Sequence, residues 1–284
     1  MATLKLPSLA KRRRRIAFLK KSALFLFAIA VFVGGAVALL RYDKFFITNV
    51  EILGIETLNP EKLKTRVTNI LEEKYFYLIP KKNFFFYPKN AIERDLSDSF
   101  KRISKISVSY KSFKNPQTIA VKIEERKPAY LWCGKSKAEI VIREKTPKCY
   151  FIDDSGFVLD RAPIFSENVF IILYGKIING ENNPIGGIFL SKDDFLSLTK
   201  FIYKTSSFGL ISTSLIKKDD GDYELELARA GKILFSLNDG AEKNISNLES
   251  ALGTDPLKTN LVNKPDALEY IDLRFGNKVF FKFK

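Results

Sequence analysis

The order of apolar and polar positions divides the chain into one unbroken apolar block and a long remainder of short periodic segments. The block, Ser22 to Leu40, reads SALFLFAIAVFVGGAVALL and carries no charge. As a helix those residues reach roughly 28 Å, close to the hydrocarbon thickness of a bilayer. The run has no polar face, so it does not suit a helix half-buried in a water-soluble core. In lipid, by contrast, a helix satisfies its own backbone and can cross alone. Lys5, Lys11, Arg12, Arg13, Arg14, Arg15, Lys20 and Lys21 precede it, and no acidic residue occurs before Asp43. That asymmetry predicts a cytoplasmic N-terminus and an extracytoplasmic bulk. A cleaved secretory signal is the competing reading, since Ala36-Val37-Ala38 has the small-x-small form of a cleavage site. The apolar run exceeds the usual h-region of about 7–15 residues and continues through Leu39 and Leu40. An uncleaved single span is therefore the expectation.

Beyond the span the period changes. Phe45 to Leu53 predicts a strand with Val50 and Ile52 on one face, ended by Gly54. Asn59-Pro60-Glu61 supplies an N-cap, a first-turn proline and an acid at the positive end of the dipole. Leu63, Val67, Ile70 and Leu71 then form one helical stripe. A loop holding Asn83-Phe84-Phe85-Phe86 leads to a second helix, about Pro88 to Ser99, with Ile92, Leu96 and Phe100 four apart. Ile106, Val108 and Tyr110 alternate with serines; after a turn at Phe113–Gln117, Ile119, Val121 and Ile123 alternate with Ala120 and Lys122. The predicted order is β-α-α-β-β, one three-stranded sheet with two helices on a face, over residues 45–127. Phe84–Phe86 are expected to pack onto that sheet.

Residues 128–284 predict a second, β-rich domain with flanking helices, making the ectodomain α+β. Tyr150–Val158 is a strand and turn, and Ser191 with Asp194 opens a helix carrying Phe195, Leu198, Phe201 and Ile202. Leu210–Ile216, Tyr223–Leu227 and Ile233–Leu237 are strands separated by Asp220-Gly221 and Ala230-Gly231 turns. Ala241–Leu252 is a short amphipathic helix. Ile271–Phe275 and Val279–Phe283 alternate about Gly276-Asn277 and predict a closing hairpin.

Composition changes this picture in three places. The net charge of +15 suggests nucleic acid until it is partitioned. Nine of the 47 basic residues lie at or before Arg41, which leaves 38 against 32 acidic, a net of +6 for the rest. The cluster therefore suits topology and anionic lipid, not a nucleic-acid arm. The chain has no histidine, which removes the commonest general base and imidazole metal sites. Cys133 and Cys149 are the only thiols. They bracket a polar loop between two apolar runs, and both a disulfide and two buried free thiols are compatible with that spacing.

Ile47-x-x-Val50-x-Ile52-x-Gly54, Asn83-Phe84-Phe85, Asn115-Pro116-Gln117-Thr118-Ile119 and Glu125-Arg126-Lys127-Pro128 together resemble a POTRA domain. Following an N-in anchor, the series is similar to the membrane-proximal POTRA of the bacterial division proteins FtsQ and DivIB. Tyr150-Phe151-Ile152-Asp153-Asp154-Ser155-Gly156-Phe157-Val158 and Tyr270-Ile271-Asp272-Leu273-Arg274-Phe275-Gly276-Asn277-Lys278-Val279 resemble the opening and closing motifs of that family's β domain. The resemblance implies a basic cytoplasmic tail (1–21), a transmembrane helix (22–40), a POTRA domain (45–127) and an FtsQ-like β domain (128–284). It implies a non-enzymatic scaffold of the divisome in the cytoplasmic (inner) membrane at the septum, which recruits the FtsB/FtsL pair and helps control septal wall synthesis. No cofactor or metal is expected. Two alternatives stand beside it: a membrane-anchored cell-wall enzyme, and a POTRA-bearing translocation component.

Asp153, Asp154 and Asp272 could be drawn as catalytic carboxylates, but no base, metal set or phosphate loop accompanies them, and turn and strand roles explain them. The closing hairpin is the candidate site. Nothing in the sequence follows Lys284 to cover its last strand, which, unless an earlier strand pairs with it, is expected to offer free N–H and C=O groups to a partner; the alternative is that Lys282 and Lys284 serve to block edge pairing. Val279, Phe281 and Phe283 should face the core, with Phe280 and Lys282 outward beside Arg274. The family resemblance implies partner-binding roles for Arg274, Phe275, Gly276 and Lys278, and by continuation Phe280 and Lys282.

Overall fold

A computed structural model of the protein describes residues 9–77, 79–112, 115–137, 148–165, 169–180 and 183–284. The first element, helix α1 (Leu9–Leu40), contains a stretch from Ile16 to Leu40 long and apolar enough to cross a membrane, with none of its apolar window buried in the protein. It begins before the predicted Ser22 because the lysines and arginines ahead of the apolar run are good helix formers. The chain forms two compact units. One holds the residues up to Ser99 with Lys105–Glu124, the other Phe100–Ser104 with Glu125–Lys284.

The first unit contains β1 (Asn49–Leu53), α2 (Pro60–Glu72), a small hairpin of β2 (Lys74–Tyr75) and β3 (Ile79–Pro80), and α3 (Lys89–Ser99). The long strands β4 (Ile103–Ser112) and β5 (Asn115–Glu125) complete a three-stranded sheet of order β1-β5-β4. Strand β1 runs parallel to β5, with Val50 opposite Ile119 and Ile52 opposite Val121. A parallel pair needs a crossover, and the helices lie in it. The Asn59 side chain accepts from the Glu61 and Lys62 N–H groups at 2.9 and 3.2 Å, starting α2 behind Pro60. Leu63, Val67 and Leu71 of α2, Ile92 and Leu96 of α3, and Val108, Ile119, Val121 and Ile123 of the sheet are buried. Strand β1 is shorter than predicted. Asp43–Phe45 form a 3-10 turn and Ile47 donates its N–H to Lys82 O, so this stretch pairs with residues 82–84 and not with the sheet. The β2–β3 hairpin has no counterpart in the predicted elements, because two-residue strands carry no period. Of the predicted Phe113–Gln117 turn, residues 113 and 114 lie outside the described residues.

The second unit is built on a nine-stranded sheet. Its strands are β6 (Tyr130–Trp132), β7 (Tyr150–Ile152), β8 (Val158–Arg161), β9 (Ile172–Tyr174), β10 (Ser212–Lys217), β11 (Asp222–Leu227), β12 (Lys232–Ser236), β13 (Leu268–Phe275) and β14 (Lys278–Phe283). Their spatial order is β14-β13-β12-β11-β10-β9-β6-β7-β8. Pairs β6/β9, β9/β10 and β12/β13 are parallel. Helix α4 (Lys192–Ser207) lies in the β9–β10 crossover; α5 (Ala241–Leu252) and α6 (Leu257–Asn263) lie in the β12–β13 crossover. Ser191 Oγ accepts from the Asp194 N–H and donates to the Asp194 carboxylate, so α4 starts as its capping pattern predicts. Phe195, Leu198, Phe201 and Ile202 of α4 are buried, with Ile245 and Leu248 of α5, against Leu173, Leu215, Leu225, Phe235 and Ile271 of the sheet. Phe201 and Tyr223 stack on Phe235 at centroid distances of 4.2 and 5.2 Å. Burial raises the Tyr223 hydroxyl pKa to about 12, so it stays protonated throughout the physiological range. Helix α6 and strand β9 were not predicted. Strand β9 is three residues long, too short to show alternation.

Cys133 and Cys149 are joined as a disulfide with Cα atoms 4.2 Å apart, immediately beyond the Trp132–Tyr150 pair of β6 and β7. The bridge closes a sequence separation of 16 residues, which on loop entropy alone stabilises the fold by about 3 kcal/mol. Titrating denatured protein with a thiol reagent should detect no thiol before reduction and two after it. The Cys133→Ser/Cys149→Ser double variant should unfold more easily by about that amount; two thiols detected without reductant would contradict the bridge.

Candidate functional site

The two edges of the large sheet are treated differently. At one end, the Val158 N–H donates to Gly187 O and Gly186 N–H donates to Val158 O, both at 2.9 Å, so a neighbouring loop bonds the outer side of β8 at its first residue. At the other end lies β14. It pairs with β13 in an antiparallel register placing Phe280 opposite Asp272 and Lys282 opposite Tyr270. Among the described residues nothing pairs with its outer side.

Direction along the strand follows from one bond. Lys284 donates its N–H inward to Ala267 O at 2.7 Å. Backbone groups of successive strand residues point to opposite sides, so Phe280 and Lys282 also turn theirs toward β13. Val279, Phe281 and Phe283 then present N–H and C=O outward. Their side chains pack against the core, while those of Phe280 and Lys282 are exposed. Between α5 and this strand is a recess of about 390 Å³ lined by Asn247, Ser250, Thr254, Asn277, Val279 and Phe281.

The exposed face beside the edge is aromatic. Phe275 is 56% and Phe280 49% exposed, and their rings meet edge-to-face at 5.1 Å. Water-exposed phenylalanines in such a pair remove little apolar area from solvent, so the chain itself leaves most of their burial unrealised. Gly276 takes φ 68°, a left-handed turn conformation that glycine adopts without a Cβ clash. Its C=O accepts from Asn247 Nδ2 at 2.6 Å, which fastens the hairpin turn to α5. Lys278 is exposed. Lys282 pairs with Glu269 at 2.7 Å, an exposed ion pair of small energetic weight.

Arg274 is used within the chain. Its Nε and Nη2 donate to the two oxygens of Asp272 at 2.9 and 2.6 Å, and Nη1 donates to Asp222 at 2.8 Å. Asp272 is buried. Burial alone would raise its carboxyl pKa, but hydrogen bonds from the Arg274 side chain and backbone outweigh that and hold it below the usual carboxylate range. The Arg274 guanidinium is correspondingly held protonated more firmly than usual by its bonds to Asp272 and Asp222. Arg274 therefore ties β13 to β11 and sets the hairpin's seat, while the aromatic and backbone groups next to it remain open. Asp222, Asn247 and Glu269, which hold these groups, carry no signal in the sequence because two of their contacts span 52 and 29 residues.

Asp153 is held within a turn, and Asp154 beside it is exposed. Asp153 Oδ1 accepts from Ser155 N–H and Oγ and from Phe157 N–H, and its Oδ2 accepts from Arg126. Strands β7 and β13 stand six positions apart in the sheet, so Asp153 and Asp272 are separated by roughly 29 Å at the usual strand spacing. They cannot share a proton or a substrate atom. A second recess, of about 500 Å³, is walled mostly by apolar side chains, among them Phe208, Leu210, Leu227, Leu252 and Leu268, with Arg229, Glu249 and Lys258 also on its lining. Among the described residues no three His, Cys, Asp or Glu side chains are placed to hold a metal ion.

No family model matches the chain, and no curated protein matches it in sequence.

Removing Arg274 leaves Asp272 buried without its main donor. Arg274→Ala should lower the unfolding free energy by about 2 kcal/mol. The pH dependence has a definite sign. Because the folded pKa of Asp272 is depressed, its contribution is complete above about pH 4 and is lost as pH falls through the lower folded value. The stability gap between parent and Arg274→Ala should therefore close on going from about pH 5 to about pH 2, measured by denaturant unfolding of both proteins; a gap that does not change with pH would count against the pairing.

Proposed function

We propose that this protein is a single-pass membrane scaffold that captures another polypeptide by β-strand addition along β14. The observation that carries the reading is the outer side of that strand, which presents the backbone groups of Val279, Phe281 and Phe283 next to the exposed Phe275–Phe280 pair. Added strands gain affinity from main-chain hydrogen bonds and specificity from neighbouring side chains. The open edge supplies the first, and the aromatic pair with the recess beside α5 supplies the second. The loop that bonds Val158 supports the choice of end, since it takes up the outward backbone groups at the start of β8, whereas β14 has no such neighbour among the described residues.

The resemblance of the closing motif to FtsQ and DivIB gives this partner a chemistry. On that reading the protein is a divisome component with a POTRA domain after the span. Its N-terminus is cytoplasmic and its two units extracytoplasmic, and the incoming strand belongs to an FtsB-like protein coiled with an FtsL-like one. Phe275, Phe280 and the backbone of β14 make the contact; Arg274 and Gly276 hold the hairpin in shape; Lys278 places positive charge beside the edge, and Lys282 lies there paired with Glu269. The protein catalyses nothing in this role, and helps license septal wall synthesis by assembling the proteins that carry it out.

The test is binding of an FtsB-like ectodomain peptide to the full chain in detergent. Phe275→Ala and Phe280→Ala should each weaken binding at least about tenfold, on the scale of an interface hot spot, with unchanged thermal unfolding. Proline placement gives a sharper contrast. Val279→Pro removes an outward N–H and should abolish capture while the β13–β14 ladder persists, whereas Lys282→Pro removes an inward one and should loosen the hairpin itself. Phe275→Ala, Phe280→Ala and Val279→Pro variants that all bind as tightly as the parent would place the site elsewhere.

A further inference from the structure

The expectation that Phe84–Phe86 pack onto the small sheet holds for only part of that loop. Phe84 meets Tyr110 of β4 at 5.5 Å. Phe85 and Phe86, however, remain 61% and 51% exposed. Nearby in the chain, Phe76 and Tyr77 at the tip of the β2–β3 hairpin are 89% and 92% exposed, and both adopt left-handed backbone angles, φ 47° and 60°. Bulky residues rarely take that conformation. Here it holds two aromatic rings away from the unit's core, where neither gains any burial.

The hairpin tip precedes the Phe84–Phe86 loop in the chain, and the loop itself is placed by contacts at the end of α1. The loop that carries Phe85 and Phe86 is fastened to the last residue of α1, since Asn83 Nδ2 donates to Leu40 O at 2.7 Å. Asn83 is fully buried and its Oδ1 accepts from the Phe85 N–H. The chain leaving α1 lies along the same segment: Phe84 N–H donates to Phe45 O, and Ile47 N–H donates to Lys82 O, both at 2.8 Å. Tyr42, itself exposed, meets Phe45 at 6.2 Å, and Phe45 meets Phe85 at 5.4 Å. Lysines are interleaved with the rings. Lys82 Nζ stands 4.4 Å from the Phe46 ring centroid, Lys81 Nζ 5.4 Å from Tyr75 and Lys44 Nζ 5.9 Å from Tyr42. Within residues 40–48 and 72–86 the acids are Asp43, Glu72 and Glu73, and Glu73 is paired with Lys81.

We propose that this aromatic and basic surface, formed by Tyr42, Phe85, Phe86 and the Phe76–Tyr77 hairpin tip, sits in the headgroup region of the membrane that α1 crosses. The proposal rests on the reading of α1 as a membrane span, independently of the β14 site. Aromatic side chains favour the membrane–water boundary, and lysines beside them meet anionic headgroups. A patch joined by a buried asparagine to the final carbonyl of a span is held at the depth where that boundary lies. The bilayer thus covers the apolar surface that the first unit leaves open. A consequence is that this unit is held against the membrane by contacts as well as by its covalent connection.

Tryptophan depth measurements on the full chain in nanodiscs test this, with the native Trp132 signal of the parent subtracted. The variants are Phe86→Trp, Phe76→Trp and, as a marker of the span, Phe32→Trp. Lipids brominated near the carbonyl end of the acyl chain should quench about half or more of the added emission of Phe86→Trp and Phe76→Trp. Lipids brominated near the methyl end should quench Phe32→Trp most. Each tryptophan replaces an exposed aromatic residue, and circular dichroism confirms folding. If Phe32→Trp is quenched while the tryptophan at position 76 or 86 emits as in water and ignores the bromines, the surface faces solvent or protein and the proposal is overturned. If Phe32→Trp is itself unquenched, the span reading fails and the proposal falls with it.

Discussion

The β-sheet ladder of the second unit is the constraint on which the proposed strand capture depends. Each strand in a sheet satisfies its backbone through two neighbours, and a sheet that does not close must end twice. One end here is filled by the loop that bonds to Val158, and the other end is β14. An edge left open lowers solubility and invites unwanted pairing. Its outward positions carry Val279, Phe281 and Phe283, and among the described residues nothing covers them. The lysines at 278, 282 and 284 limit indiscriminate pairing without closing the edge to a partner of suitable chemistry.

What holds that edge straight is spread through the unit. The parallel β12/β13 step requires a long crossover, and α5 and α6 lie in it. That crossover brings Asn247 over the hairpin turn to bond the Gly276 carbonyl. The parallel step also places β13 one strand away from β11 by way of β12, within reach of Arg274 to Asp222. A buried Asp272 is destabilising by itself and becomes stabilising only because Arg274 meets it with two hydrogen bonds. The same pair is a poor candidate for direct partner recognition, since its donors are already engaged. The aromatic rings beside it have no such partner.

The first unit poses the complementary problem. Its small sheet and two helices bury an aliphatic core, yet outside α1 its most exposed large apolar side chains are aromatics: Phe76 and Tyr77 on the β2–β3 hairpin tip, Phe85 and Phe86 on the loop tied to the end of α1, and Tyr42. A core of that size stabilises a fold only modestly, so apolar surface left in water is a liability unless something else covers it. The bond from the Asn83 side chain to the last residue of α1 is the observation on which the proposed headgroup contact rests.

Elements whose signals are local could be read directly from the order of residues. The apolar run to Leu40, the Asn59-Pro60 and Ser191-Asp194 helix starts, the four-residue stripes of α2, α3 and α4, and the Gly276-Asn277 hairpin were all legible, because capping, helical period and turn chemistry act over a few residues. The alternation of β14 also showed which of its side chains face inward. Short elements escaped: β9 and the β2–β3 hairpin hold three residues or fewer per strand, below the length at which a period can be seen. Four things waited on the folded chain: which strand ends the sheet, which end is covered, that Arg274 is engaged by Asp222 and Asp272, and that Phe85 and Phe86 stay exposed. Most of these depend on contacts between residues far apart in the chain, and pairing over such distances is set by how whole layers pack and not by any neighbouring residue's preference.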